Sequence, residues 1–154
     1  MSDNRPADVG RPPAPRANPI VERVKAILLT PKTEWPRIEA ESTTPGEIFR
    51  TYAVPLAAIG PVARLIGSVA FGYSFFGVTW RPSLGGAIGS AIVSYALSLL
   101  GVWVLALVID ALAPNFGATK NRANAFKVAA YGATAGWAAG IFGLIPSLAF
   151  LSIL

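Results

Sequence analysis

Two ionisable side chains stand where such groups are costly: Arg64, inside the apolar run TYAVPLAAIGPVARLIGSVAFG, and Asp110, the one acid after residue 50. A charge near the centre of a bilayer costs roughly 2.5–3.5 kcal/mol on insertion scales, so it must be used or compensated. Used, Arg64 would belong to a substrate or ion pathway. Compensated, it snorkels to the interface or bonds to carbonyls freed by Pro55 and Pro61, and this second reading is the favoured one. On antiparallel spans Asp110 is expected near the membrane boundary and Arg64 near the midplane, so a direct pair would need a shifted first span. A lone Arg and a lone Asp do not make a proton relay.

Other chemistry lacks its residues. None of the 154 residues is His or Cys, which removes the imidazole base, the thiolate, the disulfide and the usual zinc and copper ligands. The sequence holds no GxSxG, phosphate loop or HExxH. Seven of its eight acids precede Thr51, interspersed with Lys and Arg as on a solvated face. A phospholipid-modifying enzyme would need an acid or His cluster at the interface. No enzyme activity, cofactor site or metal site is therefore expected. The net charge of +5 and pI near 10.0 suggest nucleic acid, but no basic aromatic platform accompanies them, and nucleic acid is not expected as a partner.

The elements that must hold these residues emerge from hydropathy. The chain is 53% hydrophobic and 14% charged, with a mean hydropathy of +0.53. Residues 1–18, rich in Pro and Arg, read as a disordered tail. Residues 19–43 read as an amphipathic helical region, with Ile20, Val21, Val24, Ile27 and Leu28 at helical spacing, Glu22, Arg23 and Lys25 on the polar face, and Trp35 beyond the Thr30-Pro31 break. This region either lies in the headgroup layer with Trp35 as its anchor or packs on the rest of the protein. Thr44-Pro45-Gly46-Glu47 is a capping box with Pro at the first helical position, and it opens a transmembrane domain over 44–154. Within that domain, spans are expected at about 51–72, 84–110 and 127–145, with a turn at Pro146 and the start of a fourth span at 147–154. Ser83 to Ile109 alone is 27 residues without a charge, about 40 Å of helix.

Gly132, Gly136 and Gly140 recur every fourth residue, as do Gly86, Ser90, Ser94 and Ser98, with Gly101 continuing that face. Small residues at this spacing let membrane helices approach closely, so the second and third spans are expected to pack on one another, a homodimer face being the alternative. The serines are expected to bond back to their own helix. Tyr73 and Trp80, in an aromatic-rich turn with Phe71, Phe75 and Phe76, read as interfacial anchors. Basic residues near the span ends alternate 3, 1, 3: Lys32, Arg37 and Arg50, then Arg81, then Lys120, Arg122 and Lys127. By the positive-inside rule the N-terminus and the 111–127 loop are cytoplasmic.

The run from Val21 through Thr30-Pro31-Lys32-Thr33-Glu34-Trp35, then Thr51-Tyr52-Ala53-Val54-Pro55-Leu56-Ala57, resembles the bacterial branch of the Yip domain family, named for Ypt-interacting protein. A second block, Asn115 to Lys120, Ala125 to Tyr131 and Gly143-Leu144-Ile145-Pro146, is similar to that family's glycine-containing cytoplasmic loop, its next helix and its "IP" turn. The resemblance implies a multi-pass protein with a cytoplasmic N-terminus. It usually implies five spans, against which this chain looks truncated, and a Pro after Thr134, where Ala135 and Gly136 stand. Eukaryotic members bind Rab-type GTPases; for bacterial relatives no reaction is implied, and no binding residue carries over. The expectation is an all-α polytopic helical bundle in the bacterial inner membrane. Its partners are the lipid bilayer and a membrane protein or a second copy, and its role is that of an adaptor or organiser, the alternative being a small transport or channel component using Arg64.

Overall fold

The computed structural model describes residues 19–75 and 78–145. The tail at 1–18, the turn at Pro146 and the partial fourth span lie outside the described residues. Two short helices come first, α1 (Pro19–Leu29) and α2 (Pro31–Ala40). Thr30 separates them, its hydroxyl and amide both closing on the Ala26 carbonyl while Pro31 restarts the helix. The capping box forms as its residues dictate: Thr44 Oγ1 accepts from the Glu47 amide, and the Glu47 carboxylate accepts from the Thr44 amide at 2.9 Å.

From that cap runs α3 (Pro45–Ala70), one of two helices long and apolar enough to cross a membrane. It is not regular. One π-type turn, Phe49–Ala53, precedes Pro55, and the helix breaks again at Ala58 before Pro61. A proline has no N–H to give to the carbonyl four residues back, so the ladder must widen or break near it. Tyr95 of the next long helix donates its hydroxyl to the Val54 carbonyl at 3.1 Å, the kind of outside partner a kinked membrane helix requires.

Gly72, at φ +70, turns the chain out of α3 into β1 (Tyr73–Phe75), which pairs antiparallel with β2 (Val78–Trp80). The fold is all-α in class, as expected, and this small ribbon stands where the sequence suggested an aromatic-rich turn. Tyr73, Phe75, Val78, Thr79 and Trp80 are aromatic or β-branched, types that fit a pleated pair of strands as well as a loop. The second spanning helix, α4 (Leu84–Phe116), begins with Ser83 Oγ accepting from the Gly86 amide and ends in a 3-10 turn at Ala113–Phe116.

The expected third span does not form one continuous helix. It is α5 (Arg122–Gly132), α6 (Thr134–Ala139) and a closing 3-10 turn at Gly140–Leu144, laid end to end. These pieces run parallel to α3, in a register that the contacts fix. Phe126 meets Phe49, Thr134 meets Tyr52, Gly140 meets Gly60 and Gly143 meets Gly67. The core lies toward the start of α3, where Ile48, Tyr52, Ala53, Leu56 and Ala57 pack on Phe126, Ala129, Ala130 and Trp137. Phe49, Trp103 and Phe126 close it with ring centroids 4.7 to 6.5 Å apart.

The second and third spans pack on one another as expected, Trp103 on Phe126 and Trp137 on Ser98, but the glycines are placed differently. Gly132, Gly136 and Gly101 have open space around them among the described residues, and Gly86 faces only its own cap at Ser83. The close approach is instead between α3 and the 3-10 turn. A Cβ on Gly140 would lie 2.7 Å from Gly60 Cα, and one on Gly67 would lie 2.5 Å from the Gly143 and Leu144 carbonyl oxygens. Each four-residue step drifts about 40° round an α-helix, so glycines in such a row do not all share one face. Gly67→Val should therefore destabilise the fold by about 1–3 kcal/mol, since backbone atoms cannot yield, and Gly132→Val should change it little. Thermal unfolding of the two variants in detergent, read side by side, checks this.

Candidate functional site

Three places bring polar side chains together. The first joins the N-terminal helices to the bundle. Arg23 belongs to the same helical stripe as Ile20, Val24 and Ile27, and with them it turns inward, not to the polar face expected for it. Its guanidinium pairs with Glu34 at 2.5 Å and with Glu41, and it sits 5.6 Å from the centre of the Tyr131 ring. Burial pushes this guanidinium down, but its hydrogen bond to Glu41 and the charges of Glu41 and Glu34 outweigh that, so its pKa is raised. Glu34 is buried and also accepts from Arg37 at 3.3 Å.

Lys127, counted in the sequence as a loop charge, is buried at 4% exposure on α5. Its ammonium donates to the carbonyls of Glu39 and Glu41 at 3.1 and 2.5 Å. These are carbonyls at the end of α2, which no helical N–H can reach and where the helix dipole is negative. Thr134 lies on the same face of the third segment as Lys127 and Tyr131. Its hydroxyl proton goes to the Tyr131 carbonyl at 2.6 Å, so Tyr52 must be the donor in the 2.7 Å contact between Tyr52 and Thr134. Sequence reading missed Arg23, Glu34 and Lys127 as buried groups. The signal available was spacing: Lys127, Ala130, Tyr131 and Thr134 fall at i, i+3, i+4 and i+7.

The second place surrounds Arg64. A cavity of about 230 Å³ lies between α3, the start of α4 and the hairpin, lined by Arg64, Ser68, Tyr73, Ser90 and Ser94 with Pro61. Arg64 is exposed, and its aliphatic stem lies against Gly143. Its guanidinium folds back along α3 toward Gly60, with no hydrogen bond or ion pair to another described residue. Ser90 and Ser94 donate to the Ala87 and Ala91 carbonyls of their own helix at 2.9 and 3.1 Å. Ser98 differs: it accepts from Trp137 Nε1 at 2.9 Å and so ties α4 to α6.

The third place holds Asp110, in a separate cavity of about 270 Å³ with Thr119, Asn121, Asn124 and Val128. Arg64 and Asp110 therefore occupy different cavities and form no pair. Trp35 is half-buried and packs on the core above a groove shared with Ile38 and Val128. Tyr73 and Trp80 are cross-strand neighbours on the hairpin, stacked with centroids 6.1 Å apart, and both are exposed. Among the described residues no group of three or more His, Cys, Asp or Glu is placed to hold a metal ion.

Two helices are long and apolar enough to cross a membrane, and one of them is only 11% buried over its most apolar window. The Yip1 domain model matches residues 25–154, and the chain belongs to that family of membrane proteins, which are in general not enzymes. No curated protein matches it. No solved structure matches it.

Loss of the Lys127 ammonium should be felt first at the N-terminal helices. Lys127→Met keeps the stem and removes two hydrogen bonds to carbonyls, at a cost of about 1.5–3 kcal/mol. Limited proteolysis should then cut between Glu41 and Thr44 faster than in the unaltered chain, while Lys120→Met, on an exposed position, leaves the rate unchanged.

Proposed function

We propose that this Yip1-family protein is a non-enzymatic organiser or adaptor of the bacterial inner membrane. In this reading the N-terminal helices and the 111–127 loop face the cytoplasm, the hairpin faces the far side, and the third segment makes a third crossing. The observation that carries the adaptor reading is the contrast between the two long helices. The most apolar window of α3 is 44% buried by the chain itself, that of α4 only 11%. Ile92, Val93, Leu97, Leu100, Val104 and Leu107 leave α4 with an exposed apolar face, open to lipid or to a protein partner. The meeting of Lys127 with the end of α2 supports one sidedness for the two basic regions, because both ends of that contact must lie on the same side of the membrane.

Photocrosslinking from Leu97 and Val104 in intact cells is expected to capture a protein at discrete mass, and from buried Val102 to capture none. Single Cys at Thr119 should be shielded from an impermeant reagent and Cys at Ser74 labelled. Labelling of Thr119 alone would reverse the proposed orientation. A transport component is the second reading, and the Arg64 cavity is what favours it. Under that reading Arg64→Leu abolishes a solute flux while the protein still inserts; under the adaptor reading it changes packing alone.

A further inference from the structure

Arg64 precedes Ala70, the last residue of α3, by six positions, about 9 Å of helix. A long cation at such a place ordinarily reaches for the nearer membrane face. Arg64 turns the other way: its Nη2 lies 3.6 Å from where a Cβ on Gly60 would stand, one helical turn farther from the hairpin. Neither expected compensation is met among the described residues, since the guanidinium does not snorkel to the hairpin end and no carbonyl accepts from it. No carboxylate offsets its charge either. The described acids stand before α3 or in its first turn, except Asp110, which lines a different cavity, and no acid follows Asp110 in the sequence.

The cavity that Arg64 lines offers both donors and acceptors. Arg64 is exposed and brings a full charge with N–H groups in a planar fork, and Tyr73, at the hairpin, adds a phenolic hydroxyl. Ser68, Ser90 and Ser94 line the same cavity, and each gives its proton to a carbonyl of its own helix, those of Leu65, Ala87 and Ala91, at 3.0, 2.9 and 3.1 Å. A hydroxyl has one proton to give, so these three oxygens are left as acceptors. Water would solvate the guanidinium but bring no charge against it. A halide or an ionised carboxylate would bring the charge but no proton for the serines. A monophosphate brings both, oxygens that fit the guanidinium fork and an O–H of its own.

We propose that the cavity between α3, α4 and the hairpin is a binding site for a monophosphate group, held by Arg64 and read by the serine oxygens of Ser90 and Ser94. Its volume of about 230 Å³ admits a free phosphate ion. A groove of about 360 Å³ lined by Ile66, Val69, Leu84 and Ile88 shares Leu65 with it, so the same group on a lipid, as in phosphatidate, is the other source. The proposal rests on the membrane reading but not on the choice between adaptor and transporter, because it concerns binding and not flux.

The test uses the full chain in a neutral, phosphate-free detergent at pH 6, where a phosphate monoester keeps its second proton on about half of its molecules. One arm titrates inorganic phosphate and sulfate by calorimetry; the other titrates phosphatidate and phosphatidylglycerol of identical acyl chains by native mass spectrometry. Sulfate has the same shape and no less charge but no proton to give, and phosphatidylglycerol is a diester. A preference of about tenfold for the monophosphate is expected. In the first arm it assigns a free ion, and in the second alone a lipid headgroup. Arg64→Gln should abolish binding of the preferred monophosphate, and Ser90→Ala with Ser94→Ala should erase the preference, with helicity unchanged in both. Absence of a preference in both arms with the unaltered chain overturns the proposal, whether or not the variants fold. So does a preference that survives in Arg64→Gln. A chain recovered from cells without detergent would fail the membrane reading instead, and the phosphate titration would then stand by itself.

Discussion

The ammonium group of Lys127 sits where α2, α5 and the start of α3 come together, and it holds there because α2 ends without helical partners for its last carbonyls. Those carbonyls take the ammonium as the donor that the helix itself cannot supply. Once the end of α2 is fixed, Glu41 and Glu34 are in place to receive Arg23, and α1 is tied down in turn. The two N-terminal helices thus pack on the bundle through charge and hydrogen bonds at one edge and through Ile27 and Ile38 beneath it. The region packs on the rest of the protein, one of the two arrangements that hydropathy left open.

The bundle is built unevenly around that junction. Near it, alanines on facing helices and three rings in tilted and edge-on contact give an interior like that of a soluble protein. Farther along α3 the side chains disappear from the interface, and backbone meets backbone at Gly60 with Gly140 and at Gly67 with Gly143. Lipid supplies no hydrophobic drive for helices to associate, so close backbone approach has to replace bulk apolar packing. The prolines of α3 interrupt its own hydrogen-bond ladder, and Tyr95 of α4 donates to the Val54 carbonyl beside them.

The two charges that open the question of chemistry end at opposite ends of the molecule. Arg64 folds along its own helix into a hydroxyl-lined cavity beside the hairpin, and Asp110 faces a polar cavity near the basic loop. The family to which the chain belongs is one of generally non-enzymatic membrane proteins. The geometry leaves a long helix with little self-contact and two separate polar cavities.

Local sequence by itself determined the starts and interruptions of the helices, the length and apolarity of α3 and α4, and the family. Thr44 with Glu47, Pro31, Pro55 and Ser83 act through bonds within four residues, and a 27-residue run without charge needs no partner to be recognised. The partnership between elements was decided only by the tertiary structure. Gly132, Gly136 and Gly140 look equivalent in a row of four-residue steps, yet among the described residues only Gly140 meets the backbone of α3. Arg23 and Lys127 look solvated because charge is expensive to bury. Their burial becomes favourable only when a carboxylate or a helix end from a distant part of the chain is brought to meet them.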